Sequence, residues 1–451
     1  MVSPHREEVM RKAGKFLAGV SAIIFLTGSA VPAQASEMDI LLKKLVEKKI
    51  LTEQEAREVR SEVQQEVTKE QAASGEPLQA AETKQEKEQL KAAVKDALPA
   101  WVKNTTWAGD FRLRHESQFR DPAKPRNRER MRARFGFTTK PWNELEVGVR
   151  LGTGASGDPV APNQSFTNTF DKKAVFIDKA YAKYSPAPWV VLSGGKIENP
   201  FYTNTELVWD ADVTPEGAVA QFKTPESLPL PMRETFPTKL FATVGAFPIS
   251  ELSNDNGDPA VFGFQVGKEV GLPHGFSWTE SIAYYDLTAI KTKRTSDINQ
   301  VSAPSGNSTD GPAAAPVYRD DFNILDVQGR LGVPPVFGQP VVVLGNYVLN
   351  TVASDDDTAW QAGLKVGKVT EKLGSWEAAY YYKRVESDAL FGAITDSDFG
   401  GGGTNHKGHK LGLRVGLNKY AEAGVSYSRT DEIDGTQNKL NTLQVDASVK
   451  Y

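Results

Sequence analysis

From Trp107 onward the hydrophobic positions recur every second residue. In 360–367, Trp360, Ala362, Leu364 and Val366 alternate with Gln361, Gly363, Lys365 and Gly367. In 411–417, Leu411, Leu413, Val415 and Leu417 alternate with Gly412, Arg414 and Gly416. At 130–137, Met131, Ala133, Phe135 and Phe137 alternate with Arg130, Arg132, Arg134 and Gly136. A period of two is that of a β-strand with one apolar face. These runs are roughly 10 residues long, as a tilted membrane-crossing strand must be, whereas a soluble sandwich has shorter strands. The pattern predicts sixteen strands: 107–117, 128–139, 143–153, 173–185, 188–197, 217–223, 239–248, 260–269, 276–287, 322–332, 340–350, 358–368, 375–386, 407–418, 420–429 and 440–451. An even count, with short turns at one end and longer loops at the other, is expected of a bacterial barrel.

The connections follow that parity. Even strands lead into compact turns around Pro141-Trp142, Pro186-Ala187, Leu272-Pro273, Pro334-Pro335, Leu373-Gly374 and Asn418-Lys419. Odd strands lead into the long polar stretches 154–172, 198–216, 288–321 and 387–406. The proline-rich stretch 224–238 breaks the rule, being long where a short turn is expected. Trp142, Trp189, Phe276, Phe337, Trp376 and Tyr420 lie at or beside the short turns, and the chain ends on Tyr451. Amphipathic rings favour a membrane interface, so these form one girdle of the barrel.

Before Trp107 the period is helical. Ile40, Leu41, Leu42, Leu45 and Val46 share a face, and Thr52-Glu53-Gln54-Glu55 reads as a capping box. Ala56, Val59, Val63 and Val67 then form a narrow apolar stripe. Residues 36–70 are expected as a helical hairpin or coiled-coil segment, and 71–103 as a polar helical linker. The stripe is too short to choose between a solvated helix, a trimerising stalk and a cell-wall tether. Further upstream, Arg6, Arg11, Lys12 and Lys15 precede the apolar core Phe16–Leu26 and the small-x-small site Ala33-Gln34-Ala35. Residues 1–35 therefore read as a signal peptide. The barrel is expected over 104–451, in a bacterial outer membrane, with the helical segment in the periplasm.

Composition narrows the chemistry. The 451 residues contain no cysteine, which excludes disulfides, thiolate metal sites and c-type haem attachment in this chain. The formal net charge of −4 offers nothing to nucleic acid, and no cofactor is expected. No stretch reaches about 18 consecutive apolar residues, so a helical span is excluded.

Alternation assigns faces to charged residues. Arg112 and Arg114 lie opposite Phe111 and Leu113; Arg130, Arg132 and Arg134 lie opposite Met131, Ala133 and Phe135; Arg150 lies opposite Val149 and Leu151. Three consecutive strands thus predict an arginine-rich lumen wall. Residues 104–151 hold eleven Arg and Lys against six Asp and Glu. Guanidinium suits such a wall because it stays charged and is planar. The plainer alternative is that these arginines only pair with Asp110, Glu116, Glu144 and Glu146 and stiffen the barrel.

The chain resembles the bacterial putative porin family. The likeness rests on Gly109-Asp110-Phe111-Arg112-Leu113-Arg114, the arginine strand Arg128–Phe135, Gly195-Lys196-Ile197-Glu198-Asn199-Pro200-Phe201, and Trp209-Asp210-Ala211-Asp212-Val213-Thr214-Pro215-Glu216-Gly217. More distantly it is similar to the general diffusion porins, whose third external loop folds into the pore. That resemblance implies a constriction loop over 198–216, with Glu198, Glu206, Asp210, Asp212 and Glu216 facing the basic wall. Opposed walls of charge set ion preference in a narrow opening. It also implies that Leu443, Val445, Ala447, Val449 and Tyr451 resemble the outer-membrane assembly signal, although that signal usually ends in Phe. The implied partners are outer-membrane lipid, the assembly machinery, small hydrophilic solutes or ions, and two further copies in a homotrimer.

Other motifs are lesser candidates. Gly152-Thr153-Gly154-Ala155-Ser156-Gly157 has dinucleotide-loop spacing, but Asp158-Pro159 and Pro162 follow instead of a helix. Asp255–Asp258 and Asp355–Asp357 lack the distal Glu of a calcium loop. His406 and His409, near Asp396 and Asp398, suggest a metal site or a mobile glycine-rich loop. His115 and Ser117 share a face, but the sequence identifies no orienting acid. The expectation is an all-β, non-enzymatic outer-membrane porin with passive diffusion through a charged constriction. The alternatives are a barrel that sheathes a partner such as a periplasmic electron carrier, and a barrel enzyme.

Overall fold

The computed structural model describes residue 54 and residues 100–451, apart from 122, 226–227, 229–235, 254–256, 299–304 and 436–437. The expected signal peptide, all but one residue of the helical hairpin and most of the linker lie outside the described residues. The second of two compact units, Ala97–Tyr451, carries the barrel. It opens with one helical turn, α1 (Ala100–Lys103).

Sixteen antiparallel strands follow. They are β1 (Thr105–Asp121), β2 (Arg126–Trp142), β3 (Leu145–Thr153), β4 (Val175–Ala187), β5 (Val190–Lys196), β6 (Glu216–Lys223), β7 (Thr238–Pro248) and β8 (Ala260–Gly271). Then come β9 (Ser277–Thr288), β10 (Phe322–Val336), β11 (Gln339–Asn350), β12 (Thr358–Gly367), β13 (Trp376–Val385), β14 (His406–Gly416), β15 (Ala421–Glu432) and β16 (Lys439–Lys450). Each strand pairs with its sequence neighbours, and β1 pairs with β16 from Asp110↔Lys450 to Asp121↔Lys439, closing the barrel. Every predicted strand is present, and closure removes the exposed edges that an open sheet would carry. Tyr451 and Gly109 exchange backbone hydrogen bonds of 3.0 and 2.9 Å at the seam. The Tyr451 ring lies where a Cβ on Gly109 would have to go, 2.6 Å away.

The outward face is apolar. On β1, Trp107, Phe111 and Leu113 are exposed, as are Phe135 on β2, Val343 and Tyr347 on β11, and Val445 and Val449 on β16. In a membrane these side chains meet lipid. Trp142, Trp189, Phe276, Phe337, Tyr420 and Tyr451 are exposed near the short turns. The break in parity also stands: β6 is only 8 residues long, and a long connection runs from it to β7.

The inside holds what the alternation does not predict. Three external loops fold inward and bury a common apolar core: 197–215 contributes Phe201, Leu207, Trp209 and Val213, 289–321 contributes Ile290 and Tyr318, and 386–405 contributes Leu390 and Phe391. They pack on inward Phe247, Tyr285, Phe322 and Val385 of the wall. The Phe201 ring sits edge-on to Tyr285 at 5.0 Å and stacks near Trp209 at 6.0 Å. Burying each such side chain contributes roughly 1.5–3 kcal/mol.

Wall polar groups then dock the loop backbone. Gln265 Oε1 accepts from Tyr202 N–H at 2.7 Å, and Gln328 Oε1 accepts from Asn204 N–H at 2.9 Å. Asn307 Nδ2 donates to the carbonyls of Ser387 and Leu390, both at 2.7 Å, tying the second loop to the third. Thr404 N–H donates to the Ser305 carbonyl at 2.9 Å, so the chain just after Gly400–Gly403 also meets the second loop. All four glycines have φ between 66° and 97°, a left-handed run that side chains with a Cβ resist.

Candidate functional site

The basic wall begins with the β1–β2 register. Asp110 is opposite Arg134, Arg112 opposite Arg132, Arg114 opposite Arg130, and Glu116 opposite Arg128. Two like-charged pairs are thus bracketed by two carboxylates. Like charges directly opposite on neighbouring strands destabilise a sheet, so each arginine needs a partner elsewhere. Asp110 takes Arg132 at 2.8 Å and Arg134 at 2.7 Å. Glu116 takes Arg128 and, at 3.4 Å, Arg130. Arg114 is gripped on two sides, by Asp446 of β16 at 2.7 Å and Asp398 of the 386–405 loop at 2.8 Å. Arg112 donates to Asn163 Oδ1 at 2.7 Å.

The acidic segment meets this wall in part. Asp212 lies 3.1 Å from Arg134 and 3.5 Å from Arg132. Arg150 pairs with Asp178 of β4, not with the loop. Glu198 reaches Lys179 at 2.8 Å, and that hydrogen bond holds its carboxyl below the usual range. Glu216 opens β6 and pairs with Lys196 at 2.9 Å. Glu206 is pushed up by burial and by the Asp396 carboxylate beside it.

Asp210 makes no ion pair with the arginines among the described residues. Its carboxylate accepts from the N–H groups of Asp212 and Ser397, both at 2.8 Å. Burial, then Glu206 and Asp396, push it up to about 8. Asp396 is also buried, yet Lys383 at 2.6 Å and Lys410 at 3.5 Å hold it below its ordinary value. Of the other candidate partners for the arginines, Glu146 instead accepts from Tyr181 at 3.0 Å and lies 3.6 Å from Lys183.

These groups line a void of about 300 Å³. Arg112, Arg132, Arg134, Arg150 and Lys179 lie on its basic side, and Glu206, Asp210, Asp212, Asp396 and Asp398 supply carboxyl groups. A second void, about 470 Å³, shares Arg112, Arg132, Glu206 and Asp396 and extends to Glu377, Arg414 and Glu422, toward the short turns. A third, about 520 Å³, shares Asp212, Val213 and Thr214 and extends to Gly154–Pro159 at the loop end. The charged void shares lining residues with each of the other two, which share none with each other. A larger apolar hollow, about 780 Å³, is bordered by exposed Tyr184, Leu192, Phe262 and Phe264 and is lined by none of the arginines.

The sequence did not single out Asp398 or Asn163 as partners of this wall, nor the buried Asp396–Lys383–Lys410 cluster. Its available signal was Leu390-Phe391-Gly392-Ala393-Ile394, an apolar run that an exposed loop would not bury.

The lesser candidates resolve as follows. His406 Nε2 lies 3.2 Å from the Gly402 carbonyl, whereas His409 Nδ1 lies 2.8 Å from the hydroxyl of exposed Tyr380. Three positions apart on β14, they take opposite faces and do not converge. No cluster of metal-ligating side chains occurs among the described residues. Gly152 lies in β3, and Gly154 and Gly157 lie in the loop after it, where Asp158 Oδ1 accepts from the N–H groups of Val160 and Ala161, both at 3.1 Å.

His115 does have an acid: Glu129 lies opposite it in register and 2.6 Å from Nδ1, while Ser117 Oγ is 3.0 Å from Nε2. Yet Ser117 is 6% exposed, and its hydroxyl donates to Asn127 Oδ1 at 2.7 Å. The neighbouring backbone N–H groups lie in the strand ladders. The cluster follows Leu113 and Met131 at the loop end of the apolar belt, where polar groups can meet headgroups.

A closed sixteen-stranded barrel with an apolar outside and a charged, loop-lined inside defines the class: an outer-membrane β-barrel. The chain belongs to the putative porin family, whose model matches residues 119–327 and 337–451. No curated protein matches it. Among solved structures it is similar to Pseudomonas putida OprB at high pH, with 12% identity and a TM-score of 0.50 over 78% of this chain and 95% of that one. It is also similar to Salmonella typhi OmpF in complex with daunomycin, with 12% identity and a TM-score of 0.46 over 77% of this chain and 97% of that one. Vibrio cholerae OmpT with loop L8 deleted matches at 12% identity and a TM-score of 0.43, over 77% and 100% of the two chains. Family and fold together support an outer-membrane location.

Proposed function

We propose that this porin is a passive diffusion channel for small hydrophilic solutes, and that the void between the arginines of β1–β3 and the 197–215 loop is its constriction. The observation that carries the reading is that the void where opposite charges meet shares lining residues with one void toward the loops and another toward the short turns. Fixed wall charges at such a point act on every ion that passes. Sheathing a protein partner would require an empty lumen, whereas Leu207, Trp209, Leu390 and Phe391 fill part of this one. Residues 36–103 are proposed to stay in the periplasm and to take no part in the pore.

The test is single-channel recording of the purified full chain in a planar bilayer. Stable openings with a linear current–voltage relation in dilute potassium chloride are expected. A folded, inserted protein that stays silent overturns the reading.

A further inference from the structure

Of the five cations that line the central void, four have a carboxylate within ion-pair distance among the described residues: Arg132, Arg134, Arg150 and Lys179. Arg112 has none. Its polar contact is one guanidinium nitrogen on Asn163 Oδ1 at 2.7 Å, and its buried Nε has no partner. A guanidinium offers five N–H donors in a planar fork, and among the described residues one nitrogen of this one is engaged. A buried unpaired donor costs free energy that a bound ion or water normally offsets.

Arg112 also lies directly opposite Arg132, so two cations share one spot on the wall. The carboxylates whose charge acts on it, Asp446 and Asp398, are already held by Arg114. An anion seated here would relieve the repulsion and fill the open fork.

We infer that Arg112, with Arg132 beside it, forms a binding step for small monocarboxylates on their way through the pore. The inference rests on the channel reading above and gives it a solute class. The carboxylate group fits a guanidinium through two parallel hydrogen bonds. A void of about 300 Å³ has space for an acid of a few carbons. The single charge is chosen by the surroundings: Asp212, Asp396 and Asp398 line the same void and disfavour a doubly charged anion such as hydrogen phosphate.

The experiment compares single-channel conductance in sodium acetate, sodium chloride and sodium phosphate for the full chain, Arg112→Gln and Arg112→Lys. Wild-type conductance should saturate with acetate while rising almost linearly with chloride. Arg112→Gln should raise the half-saturating acetate concentration at least about tenfold, the usual scale for one lost charge-assisted bond. Arg112→Lys, which keeps the charge but loses the fork, should fall between. Acetate conductance as linear as chloride in the wild type, or unchanged saturation in Arg112→Gln, overturns the inference and leaves the porin reading intact. Phosphate that saturates as readily as acetate overturns the assignment to monocarboxylates. If Arg112→Gln does not fold, judged by heat-modifiability, the wild-type salts and Arg112→Lys decide. No openings in any salt defeat the channel reading itself.

Discussion

Changing Asp212 to Asn should turn the pore toward anions. Asp212 is the one acidic side chain of the 197–215 loop that touches the arginines, 3.1 Å from Arg134 and 3.5 Å from Arg132. Both arginines keep Asp110, so the barrel wall should survive the change, and the constriction gains one unit of net positive charge. A void of about 300 Å³ has an equivalent radius of roughly 4 Å, which puts a permeating ion about 6 Å from the lost charge. At that distance one charge is worth ~0.7 kcal/mol in water-like surroundings. It acts with opposite sign on anion and cation, so their preference changes by twice that amount. At 0.1 M salt the Debye length of about 10 Å roughly halves the effect, leaving a three- to fourfold change in permeability ratio. At 1 M, with a Debye length of about 3 Å, less than about a 1.5-fold change should remain. The assay is reversal potential across a potassium chloride gradient, at both mean salt levels. An unchanged reversal potential in dilute salt would place Asp212 outside the ion path. An equal shift at both salt levels would mean a rearranged loop instead of a lost charge.

Further outcomes follow from the same geometry. Asp210 is pushed up to about 8 by burial, so raising the pH from 6 to 9 should ionise it and increase cation preference; Asp210→Asn should remove that pH response, and a response that persists assigns it to another group. The sign for stability is opposite: between about pH 4 and 8 the folded chain holds a proton that the unfolded chain has lost, so this group's contribution falls as pH rises, which denaturant midpoints at pH 5 and 9 can read. Deleting Tyr451, or changing it to Asp, should lower the heat-modifiable protein in the outer-membrane fraction; Gly109→Val, whose side chain meets the Tyr451 ring, should do the same, and unchanged levels would count against a role for this end of the barrel in assembly. A chain that joins the signal peptide to residues near Trp101 should give channels of wild-type conductance; inserted protein without channels would show that 36–100 lines or gates the opening.

The strands were legible because a membrane barrel forces a simple code. One side of each strand meets lipid, so Phe111, Leu113 and Val445 cannot be polar, and the period of two survives along the chain. The parity of turns and loops then gave the strand count, even across the irregular stretch after β6. The interior was legible only where alternation reaches. It turned Arg112, Arg132 and Arg150 to one side, but it did not choose between Asp212 and Asp178 as the partner of Arg150. That choice depends on the path of the loops in three dimensions, which no local period encodes. Glu129 was missed for a similar reason: it is distant from His115 in sequence and becomes its neighbour only once the hairpin fixes the register. The inward fold of 386–405 was hidden by its polar and glycine-rich residues, which outnumber the short apolar run that anchors it.

One contact has a bearing on the order of events during assembly. Asp398 sits on Arg114 of the first strand and accepts from Gln444 of the last at 2.9 Å. Those two strands are brought together only when the circle closes. Until then Asp398 has half a cradle, and the 386–405 loop has nowhere complete to settle. The seat of this loop is thus complete only once the ends have joined, and a barrel caught with its gap open should hold the loop less firmly. Protease sensitivity around Phe399 would then report, in time, the moment at which the cylinder is sealed.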